Sequence, residues 1–247
     1  MAIHDLTSQR LFVAAGLSQG ANFALGEDQS HYLINVLRVK AGGAILVFNG
    51  RDGEWRARLS DVKKRSVSLA VDSQIRPQAD GPDIDFVFAP LKHARLDYMV
   101  QKAVEMGVAR LQPVMTRRTV AERVNLTRMR ANAIEAAEQC GILRVPEICE
   151  PKPLLKLIEE WPSSRRLIFC DEGAPQKNPI EALSGLKAGP LAVLVGPEGG
   201  FDEVERQLLS ARDYVIRLSL GPRILRADTA GVAALTLVNA TLGDWFS

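Results

Sequence analysis

The sequence predicts an α/β protein, with a mostly parallel sheet covered by helices over residues 83–247 and a small β-barrel over residues 1–75. Three observations carry this reading. Short strand-like segments crowd the first domain. A stretch without periodicity, RPQADGP (76–82), holds two prolines and a glycine and reads as the linker. Beyond it, apolar runs alternate with helical spacings, as in sheets buried on both faces.

In the first domain RLFV (10–13), AILVFNG (44–50), EWRARLSDV (54–62) and SVSLAVDSQI (66–75) read as strands. Trp55, Ala57 and Leu59 alternate with Arg56, Arg58 and Ser60, the period of a half-buried strand. One helix, from about Asp28 to Val39, places Tyr32, Leu33, Val36 and Leu37 on one apolar face. Gly42-Gly43 and Asn49-Gly50 mark turns.

In the second domain IDFVFAP (84–90) is a buried strand, and Leu96, Met99, Val100, Ala103, Val104 and Gly107 then recur at helical spacing. VARLQPVMT (108–116), RLIFCDE (166–172), LAVLVG (191–196) and YVIRLSLG (214–221) read as further strands. Helices are expected from about Leu126 to Gln139, around PLLKLIEEW (153–161), over DEVERQLLSAR (202–212) and from about Thr229 to Leu242.

Composition removes several function classes. Of the 247 residues, 47 % are hydrophobic, and no apolar run reaches the length of a membrane span. The segment MAIHDLTSQR has no apolar core of a signal peptide, so a cytoplasmic protein without a membrane partner is expected. Cys140, Cys149 and Cys170 form no CxxC pair and read as reduced structural thiols. His4, His31 and His93 have no metal-ligand spacing, so no metal is expected, and His93 reads as a structural or surface residue. The net charge of +2 is unevenly spread: Lys92 to Arg144 holds ten Lys/Arg against five Asp/Glu. Such a run is either a solvated helix face or a phosphate-contacting patch.

Two loops stand out. Gly196-Pro197-Glu198-Gly199-Gly200 ends one buried strand and precedes a helix; Gly221-Pro222-Arg223-Ile224-Leu225-Arg226 ends another and precedes the last helix. Ligands of open parallel sheets bind at the carboxyl ends of strands, and glycine lets a backbone turn sharply and approach a ligand. The two loops together could enclose one pocket, with Leu220, Ile224 and Leu225 packed on a flat ring. The alternative is plain turn chemistry. Neither loop matches GxGxxG, GxxxxGK[ST] or GxSxG, so no polyphosphate loop or nucleophile elbow is indicated.

LAVLVGPEGGFDEVE (191–205) with LSLGPRILRADTA (218–230) resembles the paired signatures of SPOUT-class methyltransferases. More narrowly the chain resembles the 16S ribosomal RNA uracil-N3-methyltransferase family, with further support from RLFV (10–13), HYLINVLRVK (31–40), DYMVQKAVEMGV (97–108) and EQCGILRVPEI (138–148). The resemblance implies a PUA-like, RNA-binding barrel and a catalytic domain with a C-terminal trefoil knot. It implies a homodimer, S-adenosylmethionine as cofactor and 16S ribosomal RNA of the small subunit as substrate. The cofactor-binding residues are then Leu194, Gly196, Pro197, Glu198, Gly199, Gly200, Leu220, Gly221, Ile224, Leu225, Arg226 and Thr229. Where the family commonly has Arg-Thr-Glu-Thr this chain has Arg226-Ala227-Asp228-Thr229, a carboxylate one methylene shorter and one hydroxyl fewer.

Uracil N3 is protonated at neutral pH and is a poor nucleophile until the proton leaves. Arg226 is the candidate for polarising a uracil oxygen, and Asp228 is the candidate proton acceptor, with helix N-terminal capping as its alternative role. Arg10, Arg38 and Lys40 in the barrel, with Lys92, Arg95, Arg117, Arg118 and Arg144, are candidate RNA contacts; for each singly, solvation or a structural ion pair is the alternative. Ribose 2′-O-methylation and a non-catalytic RNA-binding assembly factor are the competing functions.

Overall fold

The computed structural model describes residues 9–63, 66–92, 94–176 and 178–245; His4 and His93 fall outside them. The chain divides into two compact units, residues 1–80 with 137–145, and residues 81–136 with 146–247. The segment Ala137–Val145, expected in the second domain, therefore groups with the first.

The first unit contains β1 (Arg10–Phe12), β2 (Asn22–Ala24), α1 (Glu27–His31), β3 (Ala44–Phe48), β4 (Glu54–Lys63) and β5 (Ser66–Arg76). Its sheet has the order β1-β3-β4-β5-β2, with β1 parallel to β3 and the other pairs antiparallel. Alternation along β4 buries Ala57 and Leu59 against Val67, Leu69 and Val71 of β5 and Leu33 beyond α1. The helix expected from Asp28 to Val39 is only five residues of α-helix followed by a π-helical turn, Tyr32–Val36. Arg38 then takes a positive φ of 54°, which a helix cannot continue through.

One ion-paired cluster lies inside this unit. Glu54 accepts from Arg10 Nε at 2.9 Å and from Arg76 Nε at 2.7 Å, and Arg76 also donates to the Gly141 carbonyl at 2.9 Å. The Arg10 side chain is 4 % exposed. This corrects its assignment as an RNA contact. Its partner lies forty-four positions away on β4, so nothing local in RLFV reveals the pairing.

The second unit contains β6 (Ile84–Phe88), α2 (Ala94–Glu105), β7 (Arg110–Met115), α3 (Leu126–Cys140, its last residues grouping with the first unit), β8 (Glu147–Ile148), β9 (Lys152–Pro153) and α4 (Leu154–Glu159). It continues through β10 (Arg166–Cys170), α5 (Pro179–Ser184), β11 (Leu191–Val195), α6 (Glu203–Ser210), β12 (Val215–Leu218) and α7 (Ala227–Leu242). The strand order is β12-β10-β11-β6-β7-β8, and every pair is parallel. β6 and β11 are buried along their whole length, as strands covered on both faces must be. One face packs Val87, Phe169, Ala192 and Leu194 against Leu154, Leu157 and Ile158 of α4 and Leu209 of α6. On the other face α7 packs against α2, α5 and β11. Gly231 allows that approach, since a Cβ there would lie 3.0 Å from the Phe86 ring. No described helix is long and apolar enough to cross a membrane.

Four elements were not anticipated: β2, α5 and the two-residue strands β8 and β9. β2 spans three residues, too few to show a period. α5 has six residues; Asn178 caps it, accepting from Ile180 N at 3.1 Å, and Pro179 opens it, a start signal present in the sequence.

The buried cluster yields a stability prediction. Replacing Glu54 with Ala leaves Arg10 and Arg76 without their shared carboxylate, at a cost of about 3–5 kcal/mol. Urea denaturation followed by far-UV circular dichroism measures it; a midpoint equal to wild type would show that the cluster carries no net stability.

Candidate active site

β10 lies between β11 and β12, so the segments that leave these three strands emerge side by side at the carboxyl edge of the sheet. They line a continuous cleft. One part, about 400 Å³, is bounded by Gly196, Pro197, Glu198, Phe201, Leu225 and Arg226. The adjoining part, about 270 Å³, is bounded by Leu218, Leu220, Gly221, Arg223, Gly199 and Asp171. Pro197, Glu198 and Leu225, with Cys170, Glu172, Gly200, Ile224 and Ala230, border both.

The glycines have distinct reasons. A Cβ on Gly196 would lie 2.5 Å from the Phe201 ring, and Phe201 is itself held edge-on to Phe169 with centroids 5.0 Å apart. Gly200 and Gly221 take φ of 68° and 99°, in the left-handed region that disfavours side chains.

Charged groups brace the loops. Arg95, at the start of α2, donates to both carboxylate oxygens of Asp228, at 3.0 and 3.1 Å, and is paired with Glu198. It thereby ties the first glycine loop to the first turn of α7. The Arg95 hydrogen bonds hold the Asp228 carboxyl below its ordinary range, against a smaller opposing effect of burial. Arg117 donates to Asp202 Oδ2 at 2.7 Å, and Asp202 with Glu205 forms the capping box that starts α6. Arg118 donates to the Gly199 carbonyl at 2.8 Å. Beneath the cleft, buried Asp171 accepts from Arg206 at 2.7 Å and Arg217 at 2.6 Å.

Most residues singled out in the two loops meet at this cleft. Two do not. Leu194 is fully buried in the sheet core beside Val87 and Phe169, because β11 alternates and its position points away from the edge. Thr229 is exposed on α7, outside the lining, and its backbone N–H donates to Asp228 Oδ1 at 2.8 Å. Arg226 is exposed at the N-terminal boundary of α7, with no ion-pair partner among the described residues. The cleft also includes residues that were not expected, among them Phe201, Cys170, Asp171, Glu172 and Leu218. RLIFCDE was legible as a strand, but its place between the other two strands was not.

The cations are sorted by the same geometry. Arg95, Arg117 and Arg118 act as braces within the second unit, which accounts for part of the basic run. Lys92 is exposed, as are Arg38 and Lys40 in the first unit, whereas Arg144 is partly buried there.

Comparison with known proteins agrees with this architecture. A family model for an RNA methyltransferase domain matches residues 79–239, and one for an RNA methyltransferase PUA domain matches residues 25–72. The chain is 30 % identical over 238 residues to the ribosomal RNA small subunit methyltransferase E of Synechocystis, covering 94 % of this chain and 78 % of that protein. It is 29 % identical over 231 residues to the protein of the same name from Rickettsia conorii, covering 93 % and 94 %. A crystal structure of a ribosomal RNA small subunit methyltransferase E from Neisseria gonorrhoeae bound to S-adenosyl methionine superposes with a TM-score of 0.86 at 28 % identity, over 96 % of this chain and 99 % of that one. A SPOUT-type parallel sheet preceded by a PUA-like domain, together with a domain match over well more than half of the residues, means that the chain belongs to the RNA methyltransferase family that includes the ribosomal RNA small subunit methyltransferases E.

Proposed function

We propose that this protein methylates N3 of a specific uridine in 16S ribosomal RNA of the small subunit, with S-adenosylmethionine as methyl donor. On this reading it works in the cytoplasm as a homodimer, residues 1–75 form the RNA-binding barrel, and the C-terminal segment is knotted. The observation that carries the reading is the meeting of the two glycine loops at one cleft on the carboxyl edge of a parallel sheet. The crossing of β12 to the far side of β10, followed by the return of α7 to β11, supports the knot.

The cleft suits the cofactor. Its apolar wall of Leu218, Leu220, Ile224, Leu225 and Ala230 can sandwich an adenine, while the glycine loops present backbone polar groups at its edge. When bound, the cofactor supplies the electrophilic methyl group. The chain must then hold N3 in line and stabilise the uracil anion as its proton leaves. Arg226, uncompensated at the rim, is placed to polarise a uracil oxygen. Asp228 is already committed to Arg95 and held below its usual carboxylate range, so it is a poor acceptor near neutrality. Its role here is to position Arg95 and, through it, Glu198 and the first loop.

Four outcomes test this. Arg226→Ala should lower kcat at least tenfold while leaving S-adenosylmethionine affinity within twofold, read by single-turnover methylation and calorimetry. Loss of affinity with unchanged kcat would place Arg226 on the cofactor instead.

Gly196→Ala should weaken cofactor binding about tenfold or more, or about 1.4 kcal/mol, because its Cβ displaces Phe201.

Because its folded value is depressed, the Asp228 carboxylate stays ionised above the unfolded carboxylate range near 4, and its pairing is lost only as pH falls through the lower folded value. The rate between pH 6 and 9 should therefore rise with uracil ionisation alone. Asp228→Asn should weaken cofactor binding without changing the shape of that profile; a changed shape would make Asp228 the proton acceptor. Nucleoside analysis of digested RNA distinguishes N3 from ribose methylation, and absence of any methylated nucleoside with intact cofactor binding would favour an assembly factor.

A further inference from the structure

A second cavity, about 480 Å³, is lined by the first turns of α2 and α3 and the segment before α3, and shares no lining residue with the cleft. Its floor is apolar: Leu91, Val100 and Met129 are buried, with Leu96 beside them. Its outer wall is the extended segment through Val120 and Ala121, and Val120 is 61 % exposed. Lys92 and Arg123 stand at its border without ion-pair partners among the described residues, and Glu122 and Asn125 line it as well, so the two cations outnumber the one unpaired carboxylate. The third cation, Arg128, is held by Asp97 at 2.6 Å.

This composition matches one nucleotide unit. Buried hydrocarbon provides a surface for a base. The Asn125 Oδ1 is taken by the Arg128 N–H at 3.0 Å, which leaves its NH2 to serve a base-edge acceptor, and two cations without ion-pair partners suit the phosphates on either side. The position is equally specific. Arg95 of α2 faces the methyl-transfer cleft, while Leu96 and Asp97, the next two residues, face this cavity. The two sites are thus separated by one helix end, roughly 10 Å wide, a span that one or two nucleotides of an unstacked strand can bridge.

We propose that this cavity receives the base of a nucleotide one or two positions from the target uridine, with Lys92 and Arg123 on its phosphates. The cavity sets sequence context, and the cleft performs the chemistry. This rests on the RNA methylation proposed above.

The test uses full-length protein and a single-stranded RNA carrying the target uridine, with abasic substitutions at each of the two neighbouring positions on either side. Ala121→Trp fills the cavity from an extended segment and should weaken RNA binding about tenfold while leaving S-adenosylmethionine affinity unchanged, which also shows that the catalytic unit is folded. For wild type, one flanking abasic position should cost a similar factor; for Ala121→Trp the same abasic substitution should cost nothing further. Lys92→Gln with Arg123→Gln should reduce the slope of log affinity against log salt by about 1.4, or about 0.7 per lost phosphate contact. Wild-type RNA binding by the Ala121→Trp variant, or an abasic penalty that persists in it, overturns the subsite and leaves the methyltransferase reading intact. Failure of the wild-type protein to bind the RNA at all removes both.

Discussion

Parallel pairing of β10 with β12 on one side and β11 on the other is the constraint on which the cleft depends. The registers place Cys170 opposite Leu218 and Phe169 opposite Leu194, so the three strands end at nearly one level. Their exit segments then face a common space. A slip of two residues in either pair would preserve which side chains are buried, yet carry one loop about 7 Å along the sheet. Asp171 helps prevent it: from the end of β10 it holds Arg217 of β12 and Arg206 of α6, the helix after β11. Its exclusion from water makes those hydrogen bonds costly to break.

The charge distribution follows the same economy of position. Several cations of the basic run are used internally. Arg95 joins Glu198 to Asp228, Arg117 completes the capping of α6, and Arg118 fixes a loop carbonyl. Exposed cations without an ion-pair partner among the described residues include Arg226, Arg223, Lys92, Arg123 and Arg130 on the second unit and Arg38, Lys40 and Arg56 on the first. The total number of basic residues is thus a poor guide to how many phosphates the surface can neutralise.

Much of the fold was legible because its signals are local. Apolar runs at Ile84–Phe88 and Leu191–Val195 mark strands buried on both faces, and the alternation at Trp55–Leu59 marks a half-buried one. The two glycine loops could be recognised because backbone strain and close approach select glycine at fixed offsets. What was not legible is pairing across distance. Arg10 reads as a surface cation until Glu54 is seen beside it, and Arg95 reads as a phosphate ligand until Asp228 is brought to it from 133 residues away. Leu194 shows the converse limit, since a family pattern names a position but the alternation of β11 decides where its side chain points.

Cys170 closes the floor of the cleft at the end of β10, bordering both of its parts. Burial, with the neighbouring Asp171 charge adding to it, pushes its thiol up to about 12. Only the thiolate is an effective nucleophile, and at neutral pH almost none of this sulfur is in that form. A sulfonium donor is an alkylating agent towards any soft nucleophile within reach. The same desolvation that packs the floor therefore holds its sulfur in the weakly nucleophilic thiol form.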